Sequence, residues 1–306
     1  MAAPIVYRWD DANAPVARGE RRSLCDILYA CLVTGYGTKP AAGWTREYVN
    51  ATFDKAAFRN NPATGTGFYL QVDGAGGTYA FQPKTMSYEV MTSESSGLFP
   101  FVAAAATKDM WTSSVAGTTA RPWVLVADDR AFYLTVWPDI TTTPTVSNTN
   151  KAEMFFGDPV KWYPSDAYAC CLITSNYYSY GGNYGITTPG SVFGSLYFPR
   201  NIAGAATPIA AALIRGGGPG SDNIPGGHGL AYTSGDPIMI VRPYINNAAG
   251  YTFRGWLPGF YYPCHPNAFG QLAIVTADGK NYLSIRGAIQ IGNLGNYFIA
   301  LDDWRI

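Results

Sequence analysis

From Trp44 onward the sequence is a series of short apolar runs separated by clusters of Gly, Pro, Asn and Asp. Runs this short, bounded by turn residues, form strands and not helices. Gly67–Asp73 is one such run, closed by Gly74-Ala75-Gly76-Gly77. Trp123–Ala127 and Ala131–Trp137 flank Asp128-Asp129-Arg130, which predicts a β-hairpin with an Asp-rich turn. Further strands are expected at Ala167–Ser175, Ile238–Arg242, Tyr251–Gly255, Tyr282–Arg286 and Tyr297–Leu301. The 21 prolines, several beside strands, imply edge strands and irregular crossings. Neither a linker nor a repeat of fixed period divides the chain. The pattern predicts one all-β domain over residues 1–306, a sandwich or jelly roll in preference to a closed barrel.

One helix precedes the strands. Leu24, Ile27, Leu28, Cys31 and Leu32 fall on a single apolar stripe, which predicts a helix over residues 23–35. Ser23 is the expected N-cap, with Asp26 completing a weak capping box, and Gly35 the expected C-terminal stop. Residues 1–22 read as an extended arm that either lies over its own domain or reaches a neighbour. Residues 177–229 read as a loop-rich segment, with glycine-rich stretches at Tyr177–Asn183 and Gly216–Gly229.

Composition narrows the function classes. Lys+Arg and Asp+Glu both number 21, so no basic surplus is available to neutralise phosphates, and nucleic acid is excluded as the main partner. Charged residues make up only 14% of the chain, against roughly a quarter in ordinary soluble domains. Aromatics reach 15%, led by 22 Tyr. Few charges and many Tyr and Trp suit either extensive protein–protein contact or a large apolar core under a Ser/Thr/Asn/Gly surface. The five cysteines have no framework spacing, and adjacent Cys170 and Cys171 on a strand face opposite sides. Buried free thiols made in a reducing cytoplasm are expected. The N-terminus lacks the apolar core of a signal peptide, and Phe99–Ala106 is too short to span a bilayer, so no membrane role is expected.

The sequence offers little chemistry. The two histidines are His228 and His265. Cys264-His265 is an adjacent pair without a second pair, which is a poor metal set. No G-x-S-x-G elbow occurs, and Gly216–Gly220 lacks the Lys-Ser/Thr that completes a phosphate loop. A Cys–His couple through Cys25 or Cys264 with His228 has nothing local to activate the thiol. Glycoside hydrolysis needs two carboxylates near aromatic platforms, and Asp128, Asp129, Asp139, Glu153, Asp158 and Asp166 are the candidates. Asp128-Asp129 reads more simply as the hairpin turn, and Asp158-Pro159 as a turn start. A sugar-binding surface of Trp and Tyr requires fewer special residues than a hydrolase. No catalytic, cofactor or metal residue is therefore assigned, and a non-enzymatic interaction protein is expected.

Val33–Lys39, Ala42–Trp44, Ala120–Leu134, Phe156–Pro159, Tyr163–Tyr168, Phe253–Tyr261 continuing to His265, and Leu301–Arg305 form a further set of stretches. Together they resemble a family of tailed-bacteriophage virion proteins. The resemblance spans nearly the whole chain and is weakest between about Tyr177 and Gly216. It implies a structural component of the virion, in tail, baseplate or collar, or alternatively decorating the capsid. Its implied partners are other virion proteins and copies of itself, with a host surface glycan as the further alternative. The family carries no catalytic residues to transfer.

Overall fold

A computed structural model describes residues 3–101, 108–145, 150–175, 194–205, 209–214, 238, 240–247, 252–263, 269–286 and 296–305. The fold is all-β, with 45% strand and 5% helix. The largest sheet has ten antiparallel strands in the order Ile5–Arg8, Trp123–Ala127, Ala131–Val136, Ala152–Gly157, Cys171–Ser175, Gly194–Phe198, Ile209–Ile214, Tyr244–Asn247, Thr252–Trp256 and Val160–Lys161. A five-stranded sheet runs Ile240–Val241, Phe260–Pro263, Asn296–Ala300, Lys280–Arg286, Ile274–Ala277. An N-terminal sheet is built on Thr45–Val49, Lys55–Arg59, Tyr69–Asp73, Lys84–Met91 and Gly97–Pro100, with Lys108–Asp109 also on Lys84–Met91.

The predicted hairpin forms, with Trp123 opposite Val136 and Ala127 opposite Phe132. Its turn is organised by Asp128, whose Oδ1 accepts the backbone N–H groups of Arg130 (2.8 Å) and Ala131 (2.7 Å). An aspartate supplying acceptors to its own turn is why the residue type marks such a site.

These central strands are buried on both faces. Trp123, Leu125, Phe132, Leu134, Met154 and Phe156 pack against the helix and the N-terminal sheet. Val124, Val126, Tyr133, Phe155, Cys171 and Ile173 pack against the five-stranded sheet. Cys170 joins the first cluster and Cys171 the second, on opposite faces as the strand period requires. Cys25, Cys31, Cys170 and Cys171 are free and buried, and Cys264 lies outside the described residues. Burial pushes the Cys25 thiol up to about 12 and raises the other three.

The helix departs from its predicted form. Ser23–Leu28 is α-helical and Tyr29–Thr34 continues as a π-helix, ending at Gly35 with φ 75°. The wider turn leaves the carbonyls of Cys31 and Leu32 to the returning chain, which supplies the N–H groups of Ala42, Gly43 and Trp44. Ser23 is not the cap. Arg22 holds that position without a side-chain cap, and the Ser23 hydroxyl accepts the Arg18 N–H at 2.9 Å. Asp26 does not close a capping box; it pairs with Arg22 one turn back.

The N-terminal arm pairs within its own chain. Ile5–Arg8 lies along Trp123–Ala127, and Ala17–Gly19 along Gly117–Arg121. Two strands of the large sheet, Gly194–Phe198 and Ile209–Ile214, fall inside the stretch expected to be loop-rich. The glycine-rich stretches Tyr177–Asn183 and Gly216–Gly229 lie outside the described residues. Among the described residues, no helix is long and apolar enough to cross a membrane.

The large sheet also curls back on itself. Val160–Lys161 follows Ala152–Gly157 after only Asp158 and Pro159, yet it pairs with Thr252–Trp256 at the far end of the strand order. The run from Ala152 to Lys161 thus joins both ends of a circuit of strands. Gly255 makes the closure sterically possible, and Gly157 lets the outgoing strand press on Arg130 and Ala131 just before it. A Cβ on Gly157 lies 2.3 Å from the Arg130 carbonyl oxygen, and one on Gly255 lies 2.0 Å from that of Val160. Both have φ near +140°, a conformation that L side chains avoid.

Candidate functional site

The closure point carries the most unusual surface among the described residues. Opposite Tyr244–Asn247, the strand Thr252–Trp256 contains a bulge. Ile245 pairs with Gly255, but Asn246 pairs with Phe253, leaving Arg254 as the extra residue. A bulge changes the alternation, so Arg254 and Gly255 together occupy one inward position. Phe253 and Trp256, three residues apart, then both face outward. Tyr244 lies directly across from Trp256, and Val160 flanks it from the other side. Trp162 extends that flank, its N–H bonded to the Arg254 carbonyl at 3.1 Å.

The result is an aromatic platform. Trp162 packs on Phe253 at 4.9 Å and on Trp256 at 5.6 Å between ring centroids, and Phe253 contacts Trp256 at 5.4 Å and Tyr244 at 5.3 Å. The rings meet tilted or edge-on, at interplanar angles of 53° to 86°, as aromatic quadrupoles favour. Trp162 remains 51% exposed and Tyr244 36%, while Phe253 and Trp256 are half-buried. The Arg242 guanidinium lies 5.8 Å from the Trp256 centroid and 5.0 Å from that of Tyr261, and bonds the Tyr261 hydroxyl.

Beneath the platform the bulged Arg254 is held rigidly. It is fully buried and forks onto Asp166 through Nε (2.7 Å) and Nη2 (3.1 Å). Its remaining donors reach the carbonyls of Arg200 and Tyr168, and it stacks over Phe198 at 4.1 Å. A bidentate guanidinium–carboxylate pair fixes orientation as well as charge. Lys161 donates to the Asp166 carbonyl at 3.0 Å, tying the same loop to the edge of the platform.

The six candidate carboxylates do not converge as a hydrolase requires. Asp166 is committed to Arg254. Glu153 is fully buried, pairs with Lys151 at 2.5 Å and accepts from the Tyr297 hydroxyl at 2.6 Å. Burial lowers the Lys151 pKa, and Glu153 opposes that shift. Asp139 accepts from Asn150, at 3.2 Å on the surface.

Asp128, Asp129 and Asp158 do come together around the hairpin turn, with Arg130 and Arg305. Arg305 forks onto Asp128 (2.8 and 3.1 Å) and donates to the Asp158 carbonyl at 2.6 Å. Asp129 accepts from Asn61 and Thr64. The Asp158 carboxylate accepts from Asn60 and from the N–H and hydroxyl of Thr66. Burial raises its pKa, against the pull of those bonds and of Arg305. A cleft of about 570 Å³ borders this group, lined by Asp128, Asp129, Asp303 and Arg305 but not by Asp158. The Asp158 carboxyl, with its raised pKa, therefore points into a hydrogen-bonded polar knot and not into the cleft.

Among the described residues, no three His, Cys, Asp or Glu side chains are placed to hold a metal. His228, His265 and Cys264 lie outside the described residues. No local pattern signals that Trp162, Tyr244, Phe253 and Trp256 meet. They come from three strand segments, and Phe253 and Trp256 share a face only because of the bulge. The aromatic density of Phe253–Tyr261 was visible, its outward presentation was not. No protein-family model matches the chain, and no curated protein is similar to it.

Proposed function

We propose that the chain is a non-enzymatic structural component of a tailed-phage virion, in tail, baseplate or collar, acting through protein–protein contacts. The observation that carries the reading is the platform of Trp162, Tyr244, Phe253 and Trp256 on a rigid sheet above a buried Arg254–Asp166 pair. Aromatic side chains with few accessible rotamers, fixed from below, lose little entropy on docking and desolvate well. The low charge and the sequence resemblance to virion proteins support the same reading, as does the commitment of each candidate carboxylate to structural partners. A virion assembled in the host cytoplasm is the localisation that accords with free, buried thiols.

A cryo-EM map of the intact particle tests this. Density for this fold at fixed symmetric positions in tail, baseplate or collar is expected, whereas density only on the capsid shell favours decoration. A chain absent from the particle overturns the reading. So does purified protein that clears a peptidoglycan or polysaccharide suspension and loses that activity in Asp128→Asn or Asp158→Asn.

The same platform favours glycan binding as the second reading, because sugars stack on exposed Trp and Tyr faces. The edge-on tiling counts against it, since neighbouring ring edges occupy part of the faces a sugar would need. Saturable binding of a purified host surface polysaccharide, abolished by Trp162→Ala, would favour the glycan reading.

A further inference from the structure

The platform has a counterpart elsewhere on the chain. Ile274–Ala277 is the last strand of the five-stranded sheet, and among the described residues it pairs only with Lys280–Arg286. Val275 and Ala277 point into the core, while Ile274 and Thr276 point out. Ile274 is 59% exposed, the highest value among the large apolar side chains described. Edge strands are normally protected by a charge, a proline or a bulge. Ile274–Ala277 contains no charge or proline, and its register is unbroken. Around it lie exposed Asp278 at the tip of its turn, half-buried Lys280 opposite Ala277, and exposed Asp302, which accepts the Asn281 N–H.

The platform is aromatic and carries Arg242 and Lys161 at its border; the edge is aliphatic and carries Asp278 and Asp302 against a single Lys280, a net negative border. Platform against platform brings two basic borders together, and edge against edge brings two net negative ones. Platform against edge pairs opposite charges around an apolar centre. The chain as a whole has zero net charge, so copies do not repel one another at long range.

We infer that the aromatic platform of one copy receives the Ile274–Ala277 edge of a second copy, in a head-to-tail contact. This rests on the reading of the chain as a contact-forming assembly component, and it names the partner as the chain itself. A head-to-tail contact leaves one free platform and one free edge after each addition, so it propagates into a closed ring or an open filament. Ile274 inserts against Trp162 and Tyr244, and Asp278 and Asp302 face Arg242 and Lys161.

Sedimentation velocity on the full chain tests the inference with two surface variants, Trp162→Glu and Ile274→Lys. Both positions are exposed, and an unchanged Tm in each variant confirms that the fold is intact. The wild type is expected to form concentration-dependent oligomers that weaken with salt. Each variant alone is expected to be monomeric. An equimolar mixture is expected to form heterodimers and nothing larger, because each variant keeps one working half.

A wild type that stays monomeric at its highest soluble concentration overturns the inference. So does an Ile274→Lys protein that still oligomerises, which points to a platform–platform contact or to another edge such as Gly97–Pro100. If the chain is located in the virion while the purified protein stays monomeric, only the self-contact fails. If rings form but the chain is absent from the particle, the virion reading fails and the contact stands.

Discussion

Two clusters of aromatic rings in this chain meet opposite fates. Around Tyr133 sit Phe155 at 4.8 Å, Phe260 at 5.9 Å and Trp304 at 5.3 Å, all buried. Each polar tip there has a partner: the Tyr133 hydroxyl donates to the Pro258 carbonyl at 2.8 Å and Trp304 Nε1 to that of Ala300 at 2.8 Å. Around Phe253 the same ring types meet at similar distances, but the outer rings stand in water. Aromatic density is thus no guide to core membership. What separates the clusters is whether a second sheet covers them. The Tyr133 cluster lies between the central strands and the five-stranded sheet, while the Phe253 cluster lies on the uncovered face where the large sheet closes.

The largest difference should appear on truncation. Phe155→Ala in the buried cluster is expected to cost about 3–5 kcal/mol, as large core deletions do. Trp162→Ala on the platform is expected to cost less than about 1 kcal/mol and to act on assembly instead. Denaturant unfolding measures both, and a platform loss comparable to the core loss would dissolve the distinction.

The buried ion pairs sharpen it next. Lys151 and Glu153 lie under the Tyr133 side of the core, with Lys151 Nζ 4.7 Å from the Tyr297 ring centroid and bonded to the Arg286 carbonyl. Lys151→Met leaves Glu153 buried without its charge partner and is expected to cost about 3–5 kcal/mol. The double change Lys151→Met with Glu153→Gln is expected to recover much of that loss, which a double-mutant cycle reads directly. Arg254→Met should destabilise similarly, and it should also disorder the platform, seen as a loss of near-UV circular dichroism from Trp162 and Trp256.

A smaller effect is expected where the chain ends. Arg305→Ala removes a charge-assisted fork onto the hairpin turn at Asp128 and is expected to cost about 1.5–3 kcal/mol in thermal or chemical unfolding.

The smallest is a pH effect in the N-terminal sheet. The Asp54 carboxyl is held below its usual value by hydrogen bonds from Thr52 and then Asn50, both 2.6 Å. A depressed carboxylate stabilises the fold fully above the unfolded value, near 3.9, and loses that contribution as pH falls through the folded one. Asp54→Asn is therefore expected to flatten the acid limb of the stability curve slightly, while leaving the platform untouched.

Much of the fold was legible because its causes are local. Asp128 builds its own turn, so the hairpin could be read from neighbouring residues. Gly35 stops the helix by its own backbone freedom. Cys170 and Cys171 face apart because a strand has period two. The all-β class followed from run length and turn residues alone. The N-cap failed for an equally plain reason: Ser23 found a better acceptor role with Arg18, which the helix pattern does not encode.

What lay beyond the sequence required strands distant in the chain to meet. The burial of Trp123–Ala127 and Ala131–Val136 on both faces depends on two separate layers closing over them. Asp166 and Arg254 are 88 residues apart, and their pairing is set by the circuit that brings Val160–Lys161 to Thr252–Trp256. The bulge at Arg254 exists only in register with Tyr244–Asn247, and without it Phe253 and Trp256 would face opposite sides. Residue types and their local order suffice to make this a chain of strands, to set where its hairpin turns, and to make it rich in rings and poor in charge. The tertiary structure alone decided which rings are core and which are surface, because burial depends on what packs over a strand, and the strand's own residues do not specify that.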